Sequence, residues 1–361
     1  MSIKYISNLA VIVCLQLLLA SCASIGHKNI AVDRFNYNEA IGNSSNEQML
    51  LNLVRIRHFD VPVFLSVSSV LTQYVYSGSV GVNAETANSG GFNNDSVGAS
   101  GRLTYIERPT ISYTPLAGQE FAQQMLEPID RRTIFALAQS GWPSEMLLIM
   151  GLERLGHLKN VTIDTSDPED VKKLIEFIEA IQILIRLSRN NAIEVREKNI
   201  SGSNNGDALV LYFNDQASQE SLLLWEEFKS KLNLDKNLNE FRIVNRITGL
   251  MPDEVVMRTR SLLDLMSHLA QGITLDNKES VLSKRIDENE MLHAQLLPLT
   301  INYSDNYPSN AFVSVKYRNK WFYISQQDHV SKQAFGLLTY IYLLQAPRPP
   351  TAGPLVTVPT G

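Results

Sequence analysis

An α+β fold is predicted for this chain, of mixed helices and antiparallel strands, with a long Gly/Ser-rich β-hairpin near the N-terminus. Three observations predict it. Apolar residues recur at helical spacing in several separate segments and alternate at a period of two in others, and the two kinds mingle without the regular strand–helix–strand beat of a parallel sheet. Composition fits a packed chain: 44% of the 361 residues are hydrophobic and 19% charged. The formal net charge of −5 supplies no electrostatic footprint for nucleic acid, which is not expected as a partner.

The elements follow in order. Met1 to Asn8 carries one Lys, and Leu9 to Ala20 is almost wholly apolar, closed by small residues. Such a segment is a secretory signal, too short and wrongly flanked for a spanning helix. Its end, Leu19-Ala20-Ser21-Cys22, resembles the lipobox of bacterial lipoproteins, in which the cysteine becomes the acylated N-terminus. The resemblance implies that residues 1–21 are removed and that Cys22 carries the lipid, palmitate included. Three acyl chains at ~0.8 kcal/mol per buried CH₂ anchor far more firmly than one. Ala23 rather than Asp after the cysteine points, within that class, to the outer membrane, with the body in the periplasm. Cys14 leaves with the signal, so the mature 340 residues (361 less 21) are expected to form no disulfide within the chain and no thiolate metal site.

Residues 22–37 read as a polar tether, and residues 38–346 as the α+β body. Ser44-Ser45-Asn46-Glu47 has capping-box spacing and predicts a helix start, with Met49, Leu50, Leu53, Val54 and Ile56 on its apolar side, running to about Arg57. Asp60-Val61-Pro62 ends it, and the hairpin occupies 62–115. Helices are then expected over 118–126, 131–139 and 144–155, punctuated by Pro128 and Gly141-Trp142-Pro143. Asp167-Pro168 opens the strongest helical pattern, carrying Val171, Leu174, Ile175, Ile178, Ile181, Leu184 and Ile185 on one side. Strands are expected over 192–197, 208–213 and 241–245, with a helix over 218–231 between the last two. A helix is predicted from Asp253 to about Gln271, ending at Gly272. Residues 311–325 read as a hairpin turning at Arg318-Asn319-Lys320, followed by a helix over 328–345. Pro347, Pro349, Pro350, Pro354 and Pro359 make 347–361 an extended tail.

The long hairpin carries the sharpest pattern. Folding the chain at Asn88-Ser89-Gly90-Gly91 predicts a register in which one face holds Tyr74/Tyr105, Tyr76/Leu103, Gly78/Gly101, Val80/Ala99 and Val82/Val97. The other face holds Val75/Thr104, Ser77/Arg102, Ser79/Ser100, Gly81/Gly98 and Asn83/Ser96. Outer-membrane strands need ~9–11 residues, an apolar outer face, a polar inner face and aromatics at the interface. Tyr74, Tyr76, Val80, Val82, Val97, Ala99, Leu103 and Tyr105 meet that description. A two-stranded hairpin cannot satisfy its own edges in lipid, so the membrane reading requires several copies of the chain. A half-buried hairpin on a soluble sheet shows the same period, and both readings stand.

No catalytic signature emerges. His27, His58, His157, His268, His293 and His329 are scattered, with no i, i+4 pair, so neither a metal nor another cofactor is expected. Gly-x-Ser-x-Gly and phosphate-binding Gly-Lys-Ser/Thr are both absent. Asp328-His329 falls where a helix starts, and Asp328 is read as its N-cap rather than as half of an acid–base pair. Arg55 and Arg57 read as last-turn cations, and Trp142 and Trp321 as core aromatics.

Four stretches, Asn46-Glu47-Gln48-Met49-Leu50-Leu51-Asn52-Leu53-Val54-Arg55, Arg108-Pro109-Thr110-Ile111-Ser112-Tyr113-Thr114-Pro115, Ser140-Gly141-Trp142-Pro143 and Trp321-Phe322-Tyr323-Ile324, resemble an uncharacterised family of Gram-negative bacterial outer-membrane lipoproteins. The resemblance spans most of the mature chain, implies an envelope location and transfers no functional residue. The expectation is a non-enzymatic, lipid-anchored envelope protein acting in outer-membrane assembly, secretion or transport, its hairpins pooled in an oligomeric β-barrel. The alternative is a monomeric periplasmic binding or scaffold module. Expected partners are the membrane through the anchor, other envelope proteins and, in the barrel reading, further copies of the chain.

Overall fold

The computed structural model describes residues 25–87, 94–160, 168–198, 208–273 and 298–345. The chain divides into two compact units, residues 1–62 with 119–346, and residues 63–118 with 347–361. The fold is α+β, as the sequence predicts. The signal segment, Cys22, the hairpin tip at 88–93 and the proline-rich tail lie outside the described residues.

The larger unit opens with α1, Ile25–Arg57. Residues 25–37, expected as a tether, are therefore helical, and Ser44–Glu47 lie inside the helix rather than at its start. Once a helix is nucleated, each further residue adds a hydrogen bond at little cost, so a cap-like tetrad need not interrupt it. Its C-terminal part is the buried part: Met49, Leu50, Leu53 and Val54 are in the core. Arg55 and Arg57 sit in the last turn, where Arg57 Nε donates to the Ile273 carbonyl at 3.3 Å.

Helices α2 (Gln119–Leu126), α3 (Arg131–Gln139) and α4 (Ser144–Gly151) follow as predicted, except that α4 stops four residues early. Leu152–Leu155 instead form β3, which turns back into β4, Leu158–Lys159. Then come α5 (Pro168–Arg189), β5 (Ile193–Lys198), β6 (Ala208–Phe213), α6 (Gln219–Leu232) and β7 (Glu240–Val244). The helix expected over 253–271 is corrected. Glu254–Thr259 form strand β8, and helix α7 covers only Leu262–Leu269. Val255-Val256 favours a strand, β8 is hydrogen-bonded on both sides, and Ser261 caps α7 by accepting from the Asp264 N–H at 3.1 Å.

These strands make one six-stranded sheet in the order β4-β3-β8-β7-β6-β5, with β7 and β8 parallel and every other neighbouring pair antiparallel. The inner strand β8 is almost entirely buried, whereas the edge strand β5 alternates and then becomes exposed. Helix α5 touches β4 at one edge and β5 at the other. Its 22 residues give ~33 Å at ~1.5 Å each, enough to cross six strands ~4.8 Å apart. It also packs on α6. Trp225 of α6 lies fully buried, stacked on Phe213 at 5.0 Å and Phe228 at 5.6 Å, with its indole N–H donating to Asn239 Oδ1 at 3.2 Å. Trp142 and Trp321 are only half-buried, against Tyr340 and Tyr307, which corrects the expectation that they are core residues. Their neighbours are surface aromatics, whereas Trp225 comes up under the sheet.

A second sheet, β10-β11-β9, is built from β9 (Asn302–Ser304), β10 (Ala311–Tyr317) and β11 (Lys320–Ser325) and packs on α1. Arg318 and Asn319 have φ of 46° and 68°, the two left-handed residues of a tight hairpin turn. Helix α8, His329–Gln345, is capped by Asp328, which accepts from the Ser331 N–H at 3.0 Å.

The smaller unit is the hairpin, β1 (Phe64–Ala87) and β2 (Asn94–Leu116), a sheet of two strands.

Candidate functional site: the long hairpin

A strand of 24 residues at ~3.3 Å per residue extends ~79 Å, far beyond the usual five or six residues. Alternating Val, Tyr and Ser residues hold each arm extended. One irregularity sets the register, a bulge between Val67 and Ser69, where Ser68 Oγ donates to the Ser112 carbonyl at 3.1 Å. Beyond it the pairing runs without interruption from Ser69↔Ser112 to Ala87↔Asn94.

The register differs from the predicted one by two residues. Tyr76 opposes Tyr105, Gly78 opposes Leu103, Val80 opposes Gly101, Val82 opposes Ala99 and Ala84 opposes Val97, while Tyr74 stands opposite Glu107. A two-residue slip leaves every side chain on its original face, so alternation cannot detect it. The correction changes the chemistry of the pairs. Gly78 and Gly101 no longer face each other, and each lies opposite a larger apolar residue. Five consecutive pairs on this face, from Tyr76/Tyr105 to Ala84/Val97, are entirely apolar, as five were in the predicted register. They span nine residues of β1, ~30 Å long.

The opposite face carries Ser77/Thr104, Ser79/Arg102, Gly81/Ser100 and Asn83/Gly98. Ser77, Ser79, Ser100, Arg102 and Thr104 are exposed, and Ser100 Oγ donates across the strands to the Gly81 carbonyl at 3.3 Å. The eight residues named as membrane-facing stand at alternate positions of the two paired arms. Neither strand has a second strand neighbour among the described residues, and such an edge is a template for pairing with another strand.

Four residues before the start of β1 in sequence, Asp60 is clasped within the larger unit. The Tyr317 hydroxyl donates to its carboxylate, and Arg318 Nη2 reaches the same oxygen at 2.9 Å. These contacts, the Tyr317 hydrogen bond foremost, hold the Asp60 carboxyl below the usual carboxylate range. Burial, with Arg318 nearby, lowers the pKa of His58, whose ring lies 5.3 Å from that of Tyr317. No sequence signal pointed to this clasp, because its members come from the end of α1 and from a turn over 250 residues later.

Among the described residues, no helix is long and apolar enough to cross a membrane, and no group of three or more His, Cys, Asp or Glu side chains could hold a metal ion. No family model, curated protein or solved structure matches the chain.

Proposed function

We propose that this chain is a non-enzymatic, lipid-anchored outer-membrane protein whose copies pool their hairpins into one β-barrel, serving envelope assembly, secretion or transport. The observation that carries the reading is a two-stranded hairpin with no further strand on either outer edge among the described residues, and a nine-residue, wholly apolar face backed by a polar one. Nine residues is the length of a membrane strand, and the Tyr76/Tyr105 pair stands at one end, where an aromatic girdle would lie. Pooling n hairpins gives 2n antiparallel strands, closes every edge and turns the Ser/Thr/Arg face inward. The lipobox at Leu19–Cys22 and the family resemblance support the envelope location.

The second reading, a monomeric periplasmic binding or scaffold module, is favoured by the larger unit, which closes a core of its own around the six-stranded sheet. A pair of substitutions separates the two. Val80 sits at the centre of the apolar span and Ser79 on the polar face. Val80→Arg costs ~2–4 kcal/mol at a bilayer midplane, whereas Ser79→Arg faces the lumen and costs little. Membrane-embedded oligomers, read as a heat-modifiable band after detergent extraction, are expected to survive S79R and to be lost in V80R. Equal behaviour of the two variants contradicts the barrel.

A further inference from the structure

At the β4–β3–β8 end of the six-stranded sheet, three cations stand in a row. Arg154 of β3 is directly opposite Lys159 of β4 on one side and Arg258 of β8 on the other. Like charges directly opposed across strands repel, and nothing in the fold requires three of them here. They line a cleft of about 420 Å³ together with Arg260. Two carboxylates on its wall are already engaged, Glu153 with Arg258 at 2.9 Å and Asp264 with Arg260 at 2.8 Å. Arg154 and Lys159 have no carboxylate partner among the described residues, so the cleft carries two cations in excess although the chain is net acidic.

The wall also holds buried polar atoms without partners. Arg260, 2% exposed, donates through Nη1 and Nη2 and leaves Nε unused, and Arg154 Nε is unused as well. Asn160, 3% exposed, is of the opposite kind. Its Nδ2 donates to the carbonyls of Ile149 at 2.6 Å and Leu152 at 2.8 Å, which fixes the amide orientation and leaves Oδ1 an acceptor with no donor. Buried polar atoms in native proteins are nearly always satisfied, and these three without a protein partner point to a bound polar group. A ligand that satisfies all of them is an anion rich in acceptor oxygens that also presents one proton.

We propose that this cleft binds a protonated phosphate, either hydrogen phosphate or a phosphate monoester in its singly protonated form. The charged oxygens face Arg154, Lys159, Arg258 and Arg260 Nε, and the P–OH donates to Asn160 Oδ1. Sulfate matches the size and charge but carries no proton at neutral pH. It leaves the buried acceptor unsatisfied and binds at least about fivefold more weakly. The N-terminus of α7, beginning just after Ser261 on the same wall, adds its dipole to the anion's stabilisation.

The test is calorimetric titration of the mature protein in mild detergent at pH 7, with inorganic phosphate, sulfate and short-chain dihexanoyl phosphatidic acid as probes. Phosphate is expected to bind in preference to sulfate, and Arg154→Met to weaken it about tenfold without lowering the thermal midpoint. Lys159→Met, at an exposed position, serves if the first variant fails to fold. Tighter binding of the phosphatidic acid supports the site with a lipid headgroup as its source, and binding of inorganic phosphate alone supports it with the free anion. Sulfate binding as tightly as phosphate, no binding of either phosphate probe, or an unchanged affinity in both variants overturns the proposal.

Discussion

Glu254 is a carboxylate with none of its side chain exposed, held by Arg242 at 3.0 Å, by Arg246 and by the Met251 N–H at 2.9 Å. Removing one partner of a buried pair leaves the others desolvated and uncompensated. Glu254→Ala is expected to cost about 3 kcal/mol, the low end of that range, because both arginines keep some contact with water. Urea unfolding measures it, and a change below ~1 kcal/mol contradicts the assignment. Asp60 makes the opposite kind of prediction, one of pH. Its folded-state pKa is lowered, so the clasp's contribution is complete above the unfolded value of ~3.9 and disappears as pH falls through the lower folded value. A carbon-detected NMR titration should place the Asp60 midpoint below ~3.9, and Tyr317→Phe should move it upward. A midpoint at or above ~3.9 in the native protein contradicts the clasp.

Among the elements, what could be read from the sequence depended on whether the pattern was local. The 318–319 turn, the Asp328 cap and the 208–213 strand were all visible because each is fixed by residues next to one another. Strand β8 was not visible. Val255, Leu262, Leu265, Met266 and Leu269 fit a helical spacing, and only pairing with β3 and β7, from distant sequence, draws residues 254–259 into a strand. Missing β3, β4 and β8 also hid the row of Lys159, Arg154 and Arg258, whose alignment exists only once those strands are paired. Ser261 is the boundary between β8 and α7. Ser261→Ala is expected to cost ~0.5–2 kcal/mol, and Ser261→Gly only a few tenths, measured by thermal unfolding. Equal costs for the two would show that the hydroxyl is not the cap. In the hairpin, period-two alternation marked two long strands, and the structure pairs them. The two-residue offset was out of reach because such a slip preserves both faces and the bulge near Ser68 has no sequence mark.

For the molecule as a whole, two compact units differ in what they can do alone. The larger unit buries Trp225, Phe177, Phe213 and Phe241 in its own core. The hairpin has two strands and no third among the described residues, and an isolated pair of strands is marginal in water. Additional strands supply the missing hydrogen bonds, and identical hairpins arranged around an axis supply them symmetrically. The most direct measurement is the native mass of the protein extracted from membranes in mild detergent, for the intact chain and for one lacking residues 74–105. A discrete ring-sized oligomer that becomes a folded monomer on deletion is the predicted result. A monomer in both cases contradicts the barrel and leaves a tethered module.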